Sequence, residues 1–452
     1  MSEQVDVVVV GMGVGGEEVA GRLAEAGLSV VGIEDRLVGG ECPYWACIPS
    51  KMMIRAGNLL AETGRVPQMA GTATAWPDWT PVAERIRKEA TDYWDDTVAV
   101  ERFTGKGGRF VRGRARLLGS GRVDAGGQVF QTQRGVVLAT GTVPAVPPID
   151  GLASTPYWTN REATEAEVLP DSLIVLGGGA VGLELAQVFS RFGVAVTVVE
   201  AADRLLPAEE PEAAELIYQV LVNEGVAVHT GTSATRVEHD AEGFAVQLGP
   251  DSAIRAQQVL VATGRRVQLA GLGVDTVGLD PEAARVEVSD RMRAGEGLWA
   301  VGDVTGRGAF THVAMYQAGI AVRDILGQDG PPADYRALPR VTFTDPEIGG
   351  VGLTEQQARD QGVSVATGTA QVPSTARGWI HKAGNGGIIK LVADADRGVL
   401  VGATSAGPVG GEVLGALVVA VHAEVPVERL RHMIYAYPTF HRGIEDALRD
   451  LG

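Results

Sequence analysis

The chain opens on an almost unbroken apolar run, VDVVVV (5–10), and then changes period. Six residues of that kind predict a fully buried strand. Glycines follow, and after them EEVAGRLAEAG places apolar residues every three or four positions, the signature of a helix packed on one face. Gly27 breaks that helix, and LSVVGIED predicts a second buried strand ending in an acid. The same succession returns in SLIVLGGGAVGLELAQVFSRFGVAVTVVEAAD (172–203). Strand, glycine turn, helix and strand make a βαβ unit, so the pattern predicts an α/β protein with two Rossmann-like dinucleotide-binding domains. Within 52–105, WPDWTPVAERIRKEATDYWDDTVAVERF reads as amphipathic helices belonging to the first of them.

The glycines carry a chemical reading. Gly11, Gly13 and Gly16 form one Gly-x-Gly-x-x-Gly fingerprint, and Gly177, Gly179 and Gly182 form the other. The first glycine allows the tight turn, the second lets backbone approach a pyrophosphate, and the third lets helix and strand pack closely. Glu34 and Glu200 follow at the same spacing, where a carboxylate holds a ribose 2′-hydroxyl. Such a carboxylate repels a 2′-phosphate, and AADRLLP after Glu200 offers only Arg204 as a cation. NADH is therefore expected over NADPH.

Composition narrows the class. At 452 residues the chain exceeds one ordinary core, and its 61 glycines suit many strand-to-helix turns. A net charge of −17 argues against nucleic-acid partners and anionic membrane surfaces. No apolar stretch reaches membrane-spanning length, and the amino-terminal run lacks the basic flank of a signal peptide. A cytoplasmic enzyme acting on a small molecule is expected. Its only two cysteines, Cys42 and Cys47, lie in GGECPYWACIPSK just after the first fingerprint. So short a loop gains little from a permanent staple, and no second Cys/His pair completes a zinc site, so no metal is expected. A dithiol that opens and closes at a helix start, where a thiolate is favoured, fits better.

These features resemble the flavin- and nicotinamide-dependent disulfide oxidoreductases, the family of dihydrolipoamide dehydrogenase, glutathione reductase and mercuric reductase. VLATGTVPAVPPIDG (137–151, with Gly141) and VLVATGRR (259–266, with Gly264) are similar to the family's two crossings between its dinucleotide-binding domains. GLWAVGDVTG (297–306) is similar to the segment whose acid, here Asp303, binds the FAD ribityl chain. RVTFTDPEIGGVGLTE (340–355) resembles the start of the carboxy-terminal dimerisation domain, an α+β unit. The resemblance implies an FAD domain over 1–148 and 271–335, an NAD domain over 149–270 and an interface domain over 336–452, assembled as a homodimer. It places FAD along Gly11, Gly13, Gly16, Glu34 and Asp303, and NADH along the second fingerprint. It makes Cys47 the thiol against the flavin, Cys42 the interchange thiol, Lys51 and Glu184 an ion pair beside flavin N5, and Val181 the gate of the nicotinamide pocket.

The pattern breaks near the carboxy terminus. The family's disulfide reductases carry His-Pro-Thr with a Glu five residues after the His, an acid/base pair for the interchange thiol. Here AYPTFHRGIEDAL puts Tyr437 and Arg442 in those places. A phenol titrating near pH 10 shuttles protons poorly at pH 7 compared with an imidazole near 6.5. The main expectation is thus an NADH-dependent FAD oxidoreductase that feeds electrons through Cys42–Cys47 to a non-standard small disulfide or electrophile. The alternatives are a dihydrolipoamide dehydrogenase using His441–Glu445 as a displaced pair, a flavin NADH:quinone reductase with vestigial cysteines, and a carbon–sulfur cleaving, carboxylating relative. Tyr44 and Trp45, beside Cys42, either shape the substrate pocket or simply pack.

Overall fold

The fold is taken from a computed structural model that describes residues 2–451. The chain divides into two compact units.

The first unit gathers residues 1–49, 84–145 and 264–334. At its centre is the strand Glu3–Val10, with Val7, Val8 and Val9 wholly buried. It pairs in parallel with Val30–Glu34 on one side and Gln128–Leu138 on the other. Arg109–Arg112 and Leu298–Ala300 extend this parallel sheet outward. Both faces of such a sheet must be covered, which is why the central strand reads as a continuous apolar run rather than alternating. The helix Val14–Glu25 covers one face together with Thr311–Ile325, burying Val19, Ala20 and Leu23 in one cluster with Ala318 and Ile325. A short antiparallel pair, Val143–Pro144 with Arg265–Arg266, marks where the chain leaves this unit and returns to it.

The second unit comprises residues 50–83, 146–263 and 335–452. Ser172–Leu176 is the centre of a parallel sheet with Ala195–Val199 and Gln258–Val261 beside it and Ala227–His229 at the edge. A three-stranded antiparallel meander follows (Arg236–Asp240, Gly243–Gly249, Ser252–Ala256). The last third of the chain builds a five-stranded antiparallel sheet ordered Pro339–Thr342, Glu347–Gly352, Val399–Gly407, Ile388–Asp394, Val365–Gln371. The helices Gly410–His422 and Gly443–Asp450 bury Leu414, Leu417, Ala447 and Leu448 in its cluster.

Residues 50–83, read from the sequence with the first dinucleotide-binding domain, make their contacts in the second unit. The helix Cys47–Arg65 sends Lys51, Asn58 and Arg65 to partners on the helix Ala180–Arg191 and on Asp345, and Trp79 packs edge-on against Phe189 and Phe192. Among the described residues no helix is long and apolar enough to cross a membrane, and no group of three or more His, Cys, Asp or Glu could hold a metal ion.

Candidate active site

Both glycine turns are built alike. Gly11 and Gly177 lie at φ +90° and +111°, and a Cβ on either would come within 2.5 Å of a carbonyl oxygen, Ala139 or Ala262. A Cβ on Gly16 or Gly182 would overlap the carbonyl oxygen of Gly11 or Gly177. The middle glycines differ. A Cβ on Gly13 would meet nothing nearer than the Gly40 Cα at 3.9 Å, and one on Gly179 nothing within 4 Å. Two glycines per turn are thus required by packing, while the middle one leaves open the approach to the helix N-terminus that a pyrophosphate would need.

The two acids are fixed by the same device. Glu34 accepts from the backbone N–H groups of Met12 (2.8 Å) and Arg36 (2.9 Å). Glu200 accepts from those of Gly178 (2.6 Å) and Ala202 (2.7 Å). Burial raises the Glu34 carboxyl above its usual range against those hydrogen bonds. Arg204 donates Nη1 and Nη2 to the carbonyls of Leu206 and Pro207, so its charge is spent on its own loop. Thr140 Oγ1, beside the Gly11 turn, is buried without a hydrogen-bond partner, an orphan suited to a bound ribose or phosphate. Gly141 and Gly264 adopt φ +62° and +117° at the ends of the two ATG turns.

Asp303 is held by residues the sequence did not single out. Its Oδ2 accepts from Thr142 Oγ1 at 2.7 Å, and Arg265 Nε donates to the same hydroxyl at 2.8 Å. Buried Gln317 accepts from the Gly302 N–H at 2.7 Å and fixes the turn ahead of Asp303. Thr142 directly follows Gly141 and Arg265 directly follows Gly264, the one local signal by which they were findable.

The segment carrying the two cysteines is stitched to the first fingerprint. Gly39 N–H donates to the Met12 carbonyl at 2.7 Å, and a Cβ on Gly40 would sit 2.8 Å from the Gly13 Cα. Glycine pairing here brings backbone against backbone and delivers Cys42, in the short helix Glu41–Tyr44, beside the turn. Cys47 is the first residue of the helix Cys47–Arg65, and both thiols are half-buried. Cys47 Sγ lies 3.3 Å from Thr311 Oγ1, at the start of the helix Thr311–Ile325. Tyr44 is buried, with its hydroxyl 3.4 Å from the Asp95 carbonyl, and burial pushes its phenol up to about 12. Tyr44 therefore packs, whereas Trp45 stays half-buried with its ring 5.8 Å from that of Tyr44.

In the second unit Lys51 Nζ donates to Glu184 Oε2 at 2.8 Å, and Glu184 Oε1 accepts from the Phe343 N–H at 2.8 Å. Glu184 is buried, while Val181, one turn earlier, is exposed. His312 stacks on Phe310 at 5.2 Å.

At the carboxy terminus Tyr437 is 68% exposed, with the Arg442 guanidinium 5.2 Å over its ring. Arg442 also pairs with Glu445 at 3.0 Å, and Arg449 takes the other oxygen of the same carboxylate. His441 Nε2 lies 3.5 Å from Thr439 Oγ1, and its ring tilts against Tyr435. Among the described residues no ion pair joins His441 to Glu445. Two guanidiniums at i−3 and i+4 already occupy the carboxylate, each as a charge-assisted partner.

Residues 5–318 match the family described as pyridine nucleotide-disulphide oxidoreductase, and residues 338–448 match that family's dimerisation domain. The chain is 33% identical over 469 residues to the dihydrolipoyl dehydrogenase of Halobacterium salinarum, covering 99% of this chain and 96% of that one. It is 33% identical over 457 residues to a mercuric reductase of Streptomyces lividans, covering 97% and 94%. Among solved structures, a Cu(II) complex of the HOCl-induced flavoprotein disulfide reductase RclA from Escherichia coli superposes with a TM-score of 0.86 at 25% identity, covering 99% of each chain.

Proposed function

The chain belongs to the pyridine nucleotide-disulphide oxidoreductases, enzymes that use FAD and a nicotinamide dinucleotide, and from that premise we propose that it oxidises NADH and delivers the electrons through Cys42 and Cys47 to a small acceptor that draws no proton from a His–Glu pair. Bound FAD would supply the two-electron carrier between nicotinamide and dithiol. The first glycine turn with Glu34, Asp303 and Thr140 fits FAD and its ribose and ribityl hydroxyls; the second turn with Glu200 fits the nicotinamide dinucleotide and its ribose. The preference for NADH is supported by Glu200 and by Arg204, whose guanidinium is committed to two loop carbonyls instead of a 2′-phosphate.

One observation carries the choice of acceptor: Arg442 stacks on Tyr437 and binds Glu445, leaving His441 without a carboxylate partner there. When a Cys42 thiolate attacks a disulfide, the S–S bond breaks and the departing thiolate must take a proton; Cys47 then displaces the second thiolate. Without an imidazole poised near neutrality that leaving group is poorly served. In the family's dimer the Tyr437 segment would face the partner subunit's Cys42, so the missing pair bears on the interchange thiol.

A second reading is favoured by the mercuric reductases among the relatives and the Cu(II) complex of RclA. A thiophilic metal ion needs no leaving-group proton: two thiolates give up two electrons and close to a disulfide, while one divalent ion goes to the metal or two Cu(II) go to Cu(I).

Anaerobic titration with NADH tests the route. Two electrons are expected to produce long-wavelength charge-transfer absorbance from the Cys47 thiolate; bleaching directly to reduced flavin would exclude the dithiol. The reduced enzyme should be reoxidised by Cu(II) or Hg(II) in a manner lost in Cys42→Ser. Lipoamide turnover that disappears in His441→Ala would overturn the choice of acceptor in favour of a displaced pair.

A further inference from the structure

Phe343 touches both members of the Lys51–Glu184 pair. Its backbone N–H donates to Glu184 Oε1 at 2.8 Å, and its ring centroid lies 4.5 Å from Lys51 Nζ. The ammonium meets the carboxylate on one side and an aromatic face on the other. That face attracts the cation without adding an acceptor that would compete with Glu184. It also restricts a side chain with four rotatable bonds.

The segment carrying Phe343 is itself fixed. Gln187, buried one turn beyond Glu184, makes a reciprocal pair with the Asp345 backbone: the Asp345 N–H donates to Oε1 at 2.8 Å and Nε2 donates to the Asp345 carbonyl at 2.9 Å. Asp345 Oδ2 then accepts from Arg65 at 2.7 Å and from Arg191 at 2.9 Å. Glu184, Gln187 and Arg191 lie on one face of their helix, and Lys51, Asn58 and Arg65 on one face of theirs. Residues 343–345 run between the two faces and bond to both.

We propose that Phe343 is a positioning residue for the Lys51–Glu184 pair, with Gln187 and Asp345 holding it in register. The proposal rests on the hydride route proposed above, and on the resemblance, which implies that this pair lies beside flavin N5. Phe343→Leu keeps the N–H and removes the aromatic face. The limiting rate of flavin reduction by NADH is expected to fall about fivefold, with the half-saturating NADH concentration unchanged. The midpoint potential of the bound flavin should become more negative, because the cation is held less firmly. Phe343→Tyr should recover most of the rate.

In a Lys51→Met background, Phe343→Leu should cost nothing further, since its effect passes through the ammonium. A Phe343→Leu enzyme reduced at the parent rate, or slowed equally in the Lys51→Met background, overturns the proposal. A readout independent of the hydride route is the labelling rate of Lys51 in FAD-free protein by an amine reagent, followed by peptide mass mapping. It should rise severalfold in Phe343→Leu and not in Phe343→Tyr. An unchanged labelling rate counts against the proposal even if NADH proves not to be the donor.

Discussion

Thr311 brings its side chain to a cysteine sulfur, and nothing in its neighbourhood along the chain announces it. Its hydroxyl lies 3.3 Å from Cys47 Sγ across 264 positions of sequence. A hydroxyl donating to a thiolate favours the charged form, and hydrogen bonds to charged groups are worth about 1.5–3 kcal/mol. Thr311→Val is nearly isosteric and removes the donor, so the thiolate should be disfavoured about tenfold. In the NADH-reduced enzyme the charge-transfer band would weaken at neutral pH and return at higher pH, while Thr311→Ser keeps it. A band of parental intensity and pH profile in Thr311→Val would show that the contact does not tune the sulfur. Cys42, Cys47 and Lys51 could be nominated from the sequence because their residue types are concentrated in ten positions beside a fingerprint. Thr311, Phe343 and Thr142 meet their partners only in the folded chain.

Elements were legible where one period dominated. The buried valines of Glu3–Val10 and the leucines and isoleucine of Ser172–Leu176 admit little besides a covered parallel strand. The stretch after residue 80 was not legible. There the helix Thr80–Arg85 passes into a single π turn, Ile86–Ala90, and then three consecutive left-handed residues, Asp92, Tyr93 and Trp94, at φ 45°, 59° and 57°. Such conformations persist only where surroundings impose them. The buried Thr91 hydroxyl donates toward the Ile86 and Arg87 carbonyls and accepts from the Trp94 N–H. Helical periodicity carries no information about that exchange of partners.

Another arrangement of elements supports a quantitative expectation. The strand Ile388–Asp394 presents Lys390, only 5% exposed, to Glu210 (3.0 Å), Glu212 (2.7 Å) and Glu355 (2.9 Å) at the starts of two helices. Burial opposes the charge, but the three carboxylates hold the ammonium well above the usual lysine range. Glu210, almost wholly buried, also caps its neighbour by accepting from the Glu355 N–H at 2.6 Å. Lys390→Met would strand that carboxylate and should cost about 3–5 kcal/mol in urea unfolding, with part recovered in Lys390→Met/Glu210→Gln. A loss below about 1 kcal/mol would mean that water or a rearranged arginine replaces the lysine.

For the molecule as a whole, the repeated fingerprint allows fold and function to be separated by one kind of substitution made four times. At Gly16 and Gly182 an added Cβ overlaps a carbonyl of the same turn, so alanine at either should misfold its half. At Gly13 (φ −66°) and Gly179 (φ −83°) the backbone accepts alanine, and the space beside it is open. A methyl there obstructs only what approaches from outside. Gly179→Ala should therefore fold and retain FAD while its half-saturating NADH concentration rises about tenfold or more, as expected when close backbone approach is lost. Gly13→Ala should fold but lose FAD, seen as a colourless protein with a near-parental far-ultraviolet dichroism spectrum. Gly179→Ala with unchanged NADH dependence, or Gly13→Ala that stays yellow, would mean that the open glycine of that turn is not where the dinucleotide lies. Gly182→Ala folding as well as Gly179→Ala would instead overturn the division of the glycines into packing and approach.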